Sequence, residues 1–312
     1  MNLMTSIKRH FRKKRDELRQ SDYERKNNVL YKRHAGEKVL YVVMFIIFLI
    51  FMISYIFPFV WVFFNSFKTA SEYTKDFISI PKQWTLENFI DAWKFSSSET
   101  NWTTISQMLG MSVIIAFSGT LITVFVSSCA AYVVAKYEFP GRNIIFGVVI
   151  FTMIIPIVGS LPSQIQLMKA LGLDNRVIGM LFLYSGGFGM NFMLLYSFFK
   201  NLSWTYIEAA KIDGASDTRI FFSISLPMAK GPIVAVSVIS LIGLWNDYMT
   251  PRIFLPSKPT IAVGLALMKE SLVNSQTVLF AAIILTIIPI VVLFSIFSKT
   301  IMENTSVGGL KG

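Results

Sequence analysis

Long stretches without a charged residue alternate along this chain with short polar and basic segments. The first such stretch is 39–64, which contains Pro58 and ends near Trp61. The others are 111–135, 144–161, 177–199, 232–249, whose one charge is Asp247 near its end, and 278–297. Each approaches the roughly 20 residues that a helix needs to cross about 30 Å of hydrocarbon. A backbone in hydrocarbon has no water to bond, so runs of this kind must be helical. The pattern predicts an all-α polytopic membrane protein with six transmembrane helices, 144–161 and 232–249 being the shortest. The expected organisation is a cytoplasmic N-terminal segment at 1–38, a first transmembrane helix at 39–64 and an extracytoplasmic loop at 65–110. A transmembrane core at 111–297 and a cytoplasmic tail at 298–312 complete it. The polar N-terminus is too long for a signal-peptide n-region, and the apolar run after it is too long for an h-region, so that run stays in the membrane.

Charge sets the orientation. Twelve Lys and Arg residues precede residue 39, among them Arg12, Lys13, Lys14 and Arg15. Lys136, Arg142, Lys200, Lys211, Arg219, Lys230, Lys299 and Lys311 fall in loops on the same side, leaving nine of the 29 for the other. Positive charge stays inside, so both termini and the 200–228 loop are expected in the cytoplasm. Topology thus accounts for the net charge of +11 without a nucleic-acid partner. The basic N-terminus reads as a solvated topology anchor, or as a short helix drawn to anionic lipid at about 1 kcal/mol per surface Lys or Arg.

Composition agrees: 54% of the chain is hydrophobic and 15% charged, where a soluble domain carries roughly a quarter charged residues. Asp247, at the outer end of 232–249, is the one ionisable residue that approaches a span. Ion-coupled transporters and proton pumps bury carboxylates or histidines at membrane depth, so that class is disfavoured. The single cysteine, Cys129, excludes a disulfide or thiolate metal site within one chain. Both histidines, His10 and His34, lie in the basic segment, so no catalytic or metal-binding histidine cluster is expected. No Gly-rich loop followed by Lys and Ser or Thr is present. Active transport by this chain would therefore draw its energy from another polypeptide.

The loop at 200–228 suggests how. Glu208 to Asp213 are good helix formers, and Gly214 tolerates the left-handed conformation of a helix stop. Ser216 is a natural N-cap with Asp217 in the first turn behind it, and Pro227 is expected to end this second helix. Ala210 and Gly214 are four apart, which predicts a face bare enough for another backbone to approach. The pattern Glu208-Ala209-Ala210, three residues, Gly214, nine residues, Ile224-Ser225-Leu226-Pro227 resembles the EAA loop of ABC importer membrane subunits. The resemblance extends to Phe139-Pro140-Gly141-Arg142, Leu171-Gly172-Leu173-Asp174-Asn175, Trp245-Asn246-Asp247-Tyr248 and the tail Gly308-Gly309-Leu310-Lys311-Gly312, and is closest to maltose-type carbohydrate uptake permeases. Ile207 stands where an acidic residue is frequent, and Met111-Ser112 where Asn-Ser is typical.

The resemblance implies a type I ABC importer permease fold in a bacterial cell membrane, importing a carbohydrate such as a di- or oligosaccharide. It implies a second homologous permease, two copies of a cytoplasmic ABC ATPase that uses ATP and Mg, an extracytoplasmic solute-binding protein and surrounding lipid. No cofactor would be bound by this chain. Glu208, Ala209, Ala210, Lys211, Asp213, Gly214, Ile224, Leu226 and Pro227 would then form the contact with the ATPase. The same architecture would serve another solute, such as a glycerol phosphate or polyamine. A membrane-embedded enzyme or receptor is opposed by the missing buried carboxylates, histidines and nucleotide motifs, and by the absence of a soluble domain after the last span.

Within 177–199, Tyr184, Gly187, Phe188 and Asn191 combine small residues, aromatic rings and an amide. Small residues in a span serve helix packing; rings and amides also suit contact with a sugar. Trp245 to Asp247 reads as an interfacial anchor and cap. The topology is open to direct test. In a background lacking Cys129, cysteines at Ser97, Ser163 and Ser257 should react with an impermeant thiol reagent added outside, and one at Ser216 should not. External labelling at Ser216 would put the 200–228 loop on the wrong face.

Overall fold

A computed structural model of the chain describes residues 14–18, 35–95, 104–154, 159–272 and 275–305. Most of the basic N-terminal segment, Ser97 and the tail beyond 305 lie outside the described residues, which contain helices and turns and no strand. They fall into two compact units, 1–60 and 61–312. The first is dominated by helix α1 (Ala35–Ser66), which runs on into the second, has Pro58 inside it and exposes its apolar side chains from Val39 onward.

In the second unit, α2 (Ala70–Lys75) and α3 (Glu87–Lys94) precede the long α4 (Ile105–Lys136). Then come α5 (Arg142–Ile154), α6 (Leu161–Ala170), α7 (Val177–Tyr184), α8 (Met190–Asn201), α9 (Trp204–Ile212) and α10 (Asp217–Ile220). After a π turn at Phe221–Ser225 follow α11 (Leu226–Met228), α12 (Lys230–Trp245), α13 (Met249–Phe254), α14 (Ile261–Ser271) and α15 (Gln276–Thr305).

Among the described residues, two helices, 37–66 and 105–136, are long and apolar enough to cross a membrane, and a third if 217–228 and 230–246, bent by 77°, count as one span. The differences from the predicted runs have local causes. The second run starts at 105 rather than 111, so the preceding loop ends at 104, because Thr104 and Gln107 form a reciprocal capping box there. The run at 177–199 is not one helix: it breaks at 185–189, where Gly187 and Gly189 take φ of +67° and +123°. The run at 232–249 stops at Trp245, and the last run extends to Thr305.

α4 is the axis of this unit. Its buried face carries Ser112, Ala116, Gly119, Thr120, Ser127, Ser128, Ala131 and Ala135. Small side chains let neighbouring backbones approach closely, the main source of helix association in lipid. Toward its C-terminus Val124, Ala131, Tyr132, Val134 and Ala135 pack with Val149 of α5, Phe192, Leu195, Tyr196 and Phe199 of α8, and Val236 of α12. Toward its N-terminus Ile105, Met108 and Ala116 join Ala92, Leu241, Trp245, Ile261, Met268, Ala281 and Ala282. Ser112 is buried and accepts the Ile261 N–H at 2.8 Å, satisfying an otherwise orphaned donor at the start of α14. Asn175, at φ 54°, accepts from Ser257 Oγ at 2.8 Å and so ties the turn before α7 to the turn after α13.

The end of α1 is fixed by a buried amide. Asn88 Nδ2 donates to the carbonyls of Ser66 and Lys68 at 2.8 and 2.7 Å, and its Oδ1 accepts from Thr277 Oγ1 at 3.1 Å. Lys68 is also buried, its ammonium donating to the Asp76 carbonyl at 2.8 Å. The Asp76 carboxyl in turn accepts from the backbone of Ser79 and Ile78, which holds it below the usual carboxylate range. Asn88→Ala should leave two carbonyls and a hydroxyl unpaired at about 1–3 kcal/mol per group. The purified variant should unfold at lower temperature; an unchanged midpoint would mean that these groups find other partners.

Candidate functional site

The polar loop between α8 and α12 folds into a helical hairpin. Ser203 opens α9 by accepting a hydrogen bond from the Thr205 N–H at 3.3 Å. At the other end Gly214 and Ala215 donate to the carbonyls of Lys211 and Ala210 at 3.0 and 2.9 Å. This is the paired closure by which a left-handed glycine ends a helix, and Gly214 has the φ of +75° that it requires. Ser216 then caps α10, accepting from the Arg219 N–H at 3.3 Å. Lys211 Nζ and Asp217 Oδ1 approach to 3.3 Å across the turn, both about half exposed, so the pair adds little stability.

Ile207, Ala210 and Ile220 are buried against one another, with Ala215 and Ile224 packed beside them. The expected bare docking face is therefore corrected: Ala210 faces into the hairpin, where a small side chain lets α10 pack against α9. Gly214 remains exposed, and an added Cβ there would meet nothing within 4 Å. Glu208, Ala209, Lys211 and Asp213 lie on the exposed side of α9 and its cap. They are joined there by Tyr206 and by Ile212, whose side chain is 87% exposed. Sequence reasoning missed Ile212, whose signal is an aliphatic residue out of phase with the buried Ile207 and Ala210. Pro227 does not stop the second helix. The chain continues helically through the π turn into α11, Pro227 included, and the sharp bend follows at Ala229.

The second arm of the hairpin and the end of α8 both meet the end of α4. The Tyr132 ring lies 4.9 Å from Phe221 and 5.4 Å from Phe199. Burial, and then neighbouring Tyr132 and Asp217, push the Tyr137 phenol up.

The break between α7 and α8 forms a second candidate site. Tyr184, Gly187, Phe188 and Asn191 line one cavity of about 370 Å³, together with Thr123, Ser240 and Gly243. Asn191 Nδ2 donates to Ser240 Oγ at 2.8 Å, and Thr123 Oγ1 to the Tyr184 carbonyl freed at the end of α7, also at 2.8 Å. Tyr184 Oη donates to Asp247 Oδ2 at 2.9 Å, and Asp247 Oδ1 accepts from the Thr250 N–H at 3.0 Å. Asp247 thus takes the Thr250 N–H at the start of α13 and is also the partner of Tyr184. Trp245 is not an interfacial anchor, being buried in the core. Gly187 serves both readings of this segment: a Cβ there would sit 2.6 Å from Val126, and its φ opens the break. Phe188, 56% exposed, presents its ring at the cavity. Thr123, Ser240 and Gly243 were not foreseen, because each is an ordinary small residue of an apolar run.

Residues 124–303 match the family described as binding-protein-dependent transport system inner membrane component. The chain is 32% identical over 257 residues to the diacetylchitobiose uptake system permease protein NgcG of Streptomyces coelicolor, covering 80% of this chain and 82% of that protein. It is 29% identical to the arabinooligosaccharides transport system permease protein AraQ of Halalkalibacterium halodurans, covering 82% and 91%. It is also 29% identical to the melibiose/raffinose/stachyose import permease protein MelC of Bacillus subtilis, covering 80% and 88%. Among solved structures, a chain of a bacterial ABC transporter involved in import of the acidic polysaccharide alginate superposes with a TM-score of 0.73, covering 86% of this chain and 98% of that one at 21% identity.

The hairpin geometry separates two effects at Gly214. The space around it is open, so a side chain acts through φ and not through a clash within the chain. Gly214→Asn should be tolerated and Gly214→Val should cost about 1–2 kcal/mol of left-handed strain. The unfolding midpoint of the purified chain should fall for Val and hold for Asn. Equal loss for both would mean that something other than the left-handed φ demands glycine there.

Proposed function

Since the chain belongs to the family of binding-protein-dependent transport system inner membrane components, we propose that it forms one half of the pathway of an ATP-driven importer for a di- or oligosaccharide. The family is one of transport permeases rather than enzymes. On this reading six spans cross the membrane with both termini in the cytoplasm, the broken run 177–199 counting as one of them. A second, related permease completes the pathway. Two copies of an ABC ATPase consume ATP and Mg below, and a solute-binding protein delivers substrate from outside.

The observation that carries the reading is the hairpin at 203–228. Its hydrogen-bonded closure at Gly214 and its inward-facing Ile207, Ala210 and Ile220 make it a preformed body. It turns Glu208, Ala209, Lys211, Asp213 and Ile212 outward. Such a body moves as a unit when a partner pulls on it, and this is what a coupling helix must do. Ile224, Leu226 and Pro227 connect it to α12 and transmit the displacement.

Carbohydrate as substrate rests on the relatives and on the chemistry of the cavity. Its lining offers Phe188 and Tyr184 rings, the Asn191 amide and the Ser240 and Thr123 hydroxyls, with no Lys, Arg or His among them. Rings and neutral hydrogen-bonding groups suit a sugar; a glycerol phosphate would want a cation. In the reconstituted complex, diacetylchitobiose, an arabinooligosaccharide or raffinose, supplied with the cognate binding protein, should stimulate ATP hydrolysis, and glycerol 3-phosphate should not. Glu208→Lys should abolish stimulation, since reversing a charge at a contact costs several kcal/mol. Wild-type stimulation in Glu208→Lys would reduce the hairpin to a connector.

A further inference from the structure

The charge pattern places Lys136 in a cytoplasmic loop, yet in the structure the residue is buried. Lys136 is the last residue of α4 and is 2% exposed. Its Nζ donates to the carbonyl of Leu202, the C-cap residue of α8, and lies 5.1 Å from the centroid of the Trp204 ring, the first residue of α9. The cation therefore sits at the negative end of one helix and over the aromatic face that begins the next. Among the described residues its hydrogen bond goes to a carbonyl rather than to a carboxylate. A surface topology charge has no need of such burial. Tyr132, one turn earlier on the same face of α4, touches Phe221 on the other arm of the hairpin. Both arms of the loop are thus fastened to one turn of α4, and α4 runs on to Thr123 and the cavity.

We propose that Lys136 is a positioning residue that locks the 203–228 hairpin to α4, so that displacement of the hairpin moves the cavity wall. The inference rests on the coupling role proposed for that hairpin. A point charge held between a helix-end carbonyl and a ring constrains both the distance and the angle of the α8–α9 joint. An apolar side chain of the same length would fill the space without fixing the joint.

The test uses the assembled complex and needs no identified substrate. In a Cys129→Ser background, Phe188→Cys reports on the cavity through its rate of modification by a maleimide, with and without trapping by ATP and vanadate. In the parent the rate should change on trapping. Lys136→Met should retain the ATPase on co-purification but reduce the nucleotide-dependent change in rate roughly tenfold, the scale of a coupling free energy between sites. Lys136→Arg, which keeps the cation, should restore most of the change. Trp204→Leu, which removes the ring but leaves the carbonyl bond, should give an intermediate value. A parental response in Lys136→Met would overturn the inference while leaving the coupling role of the hairpin intact. So would loss of the ATPase from Lys136→Met, which would make Lys136 a residue of assembly alone. No change on trapping in the parent would refute the coupling reading itself, and this inference with it.

Discussion

Helices in a bilayer gain little by burying apolar surface against one another, because the lipid they leave is as apolar as the partner they meet. Close contact and hydrogen bonding must hold such a unit together, and α4 provides the surface on which both occur. Its stripe of Ser112, Ala116, Gly119, Thr120, Ser127, Ser128, Ala131 and Ala135 has almost no bulk. An ideal Cβ on Gly119 would lie 2.8 Å from Leu244 and 3.1 Å from Tyr184. Helices α7, α8 and α12 all rest on this stripe. Their larger side chains, Phe192, Phe199, Leu195 and Val236 among them, fill the space that it leaves.

Hydrogen bonds then fix what packing leaves free. Ser112 holds the start of α14 and Asn175 holds the turn beside Ser257. Asn88 joins the end of α1 to α15, and Thr123 takes the carbonyl freed where α7 breaks. Each of these groups would be an expensive orphan if its partner were lost, so each specifies one arrangement of the helices around α4. Met111-Ser112, where the resemblance implies Asn-Ser, keeps the serine that this scheme uses.

What the sequence reveals follows from the range of the interactions involved. The all-helical architecture and the family pattern are written in uninterrupted apolar runs and in residues close together along the chain. So are the hairpin's caps: Ser203, Gly214 and Ser216 each act within a few residues of themselves. The break at 185–189 was half legible, since its glycines stand in the run but read equally as packing residues. The Tyr184–Asp247 and Asn191–Ser240 pairs join residues far apart in sequence, and no local pattern announces them. Ala210 was misjudged because the same small residue fits a bare outer face and a tight inner one. Only the position of α10 decides between them. Trp245 was misjudged for a similar reason: a tryptophan at the end of an apolar run suits an interface, yet α14 and α15 cover it.

The difference between α4 and the broken run beside it bears on how the two candidate sites communicate. The run 177–199 is interrupted at 185–189 by two glycines of positive φ, so no continuous helical hydrogen bonding joins α8 to α7. α4 has no such interruption, and from Lys136 to Thr123 it spans about 20 Å at 1.5 Å per residue. One end of that segment carries the hairpin contacts of Tyr132 and Lys136; the other forms the cavity wall at Thr123. The soft element and the stiff element meet where Thr123 Oγ1 bonds the Tyr184 carbonyl. On the coupling role proposed for the hairpin, a displacement carried along α4 would therefore reach the cavity wall at the bond between Thr123 and the Tyr184 carbonyl.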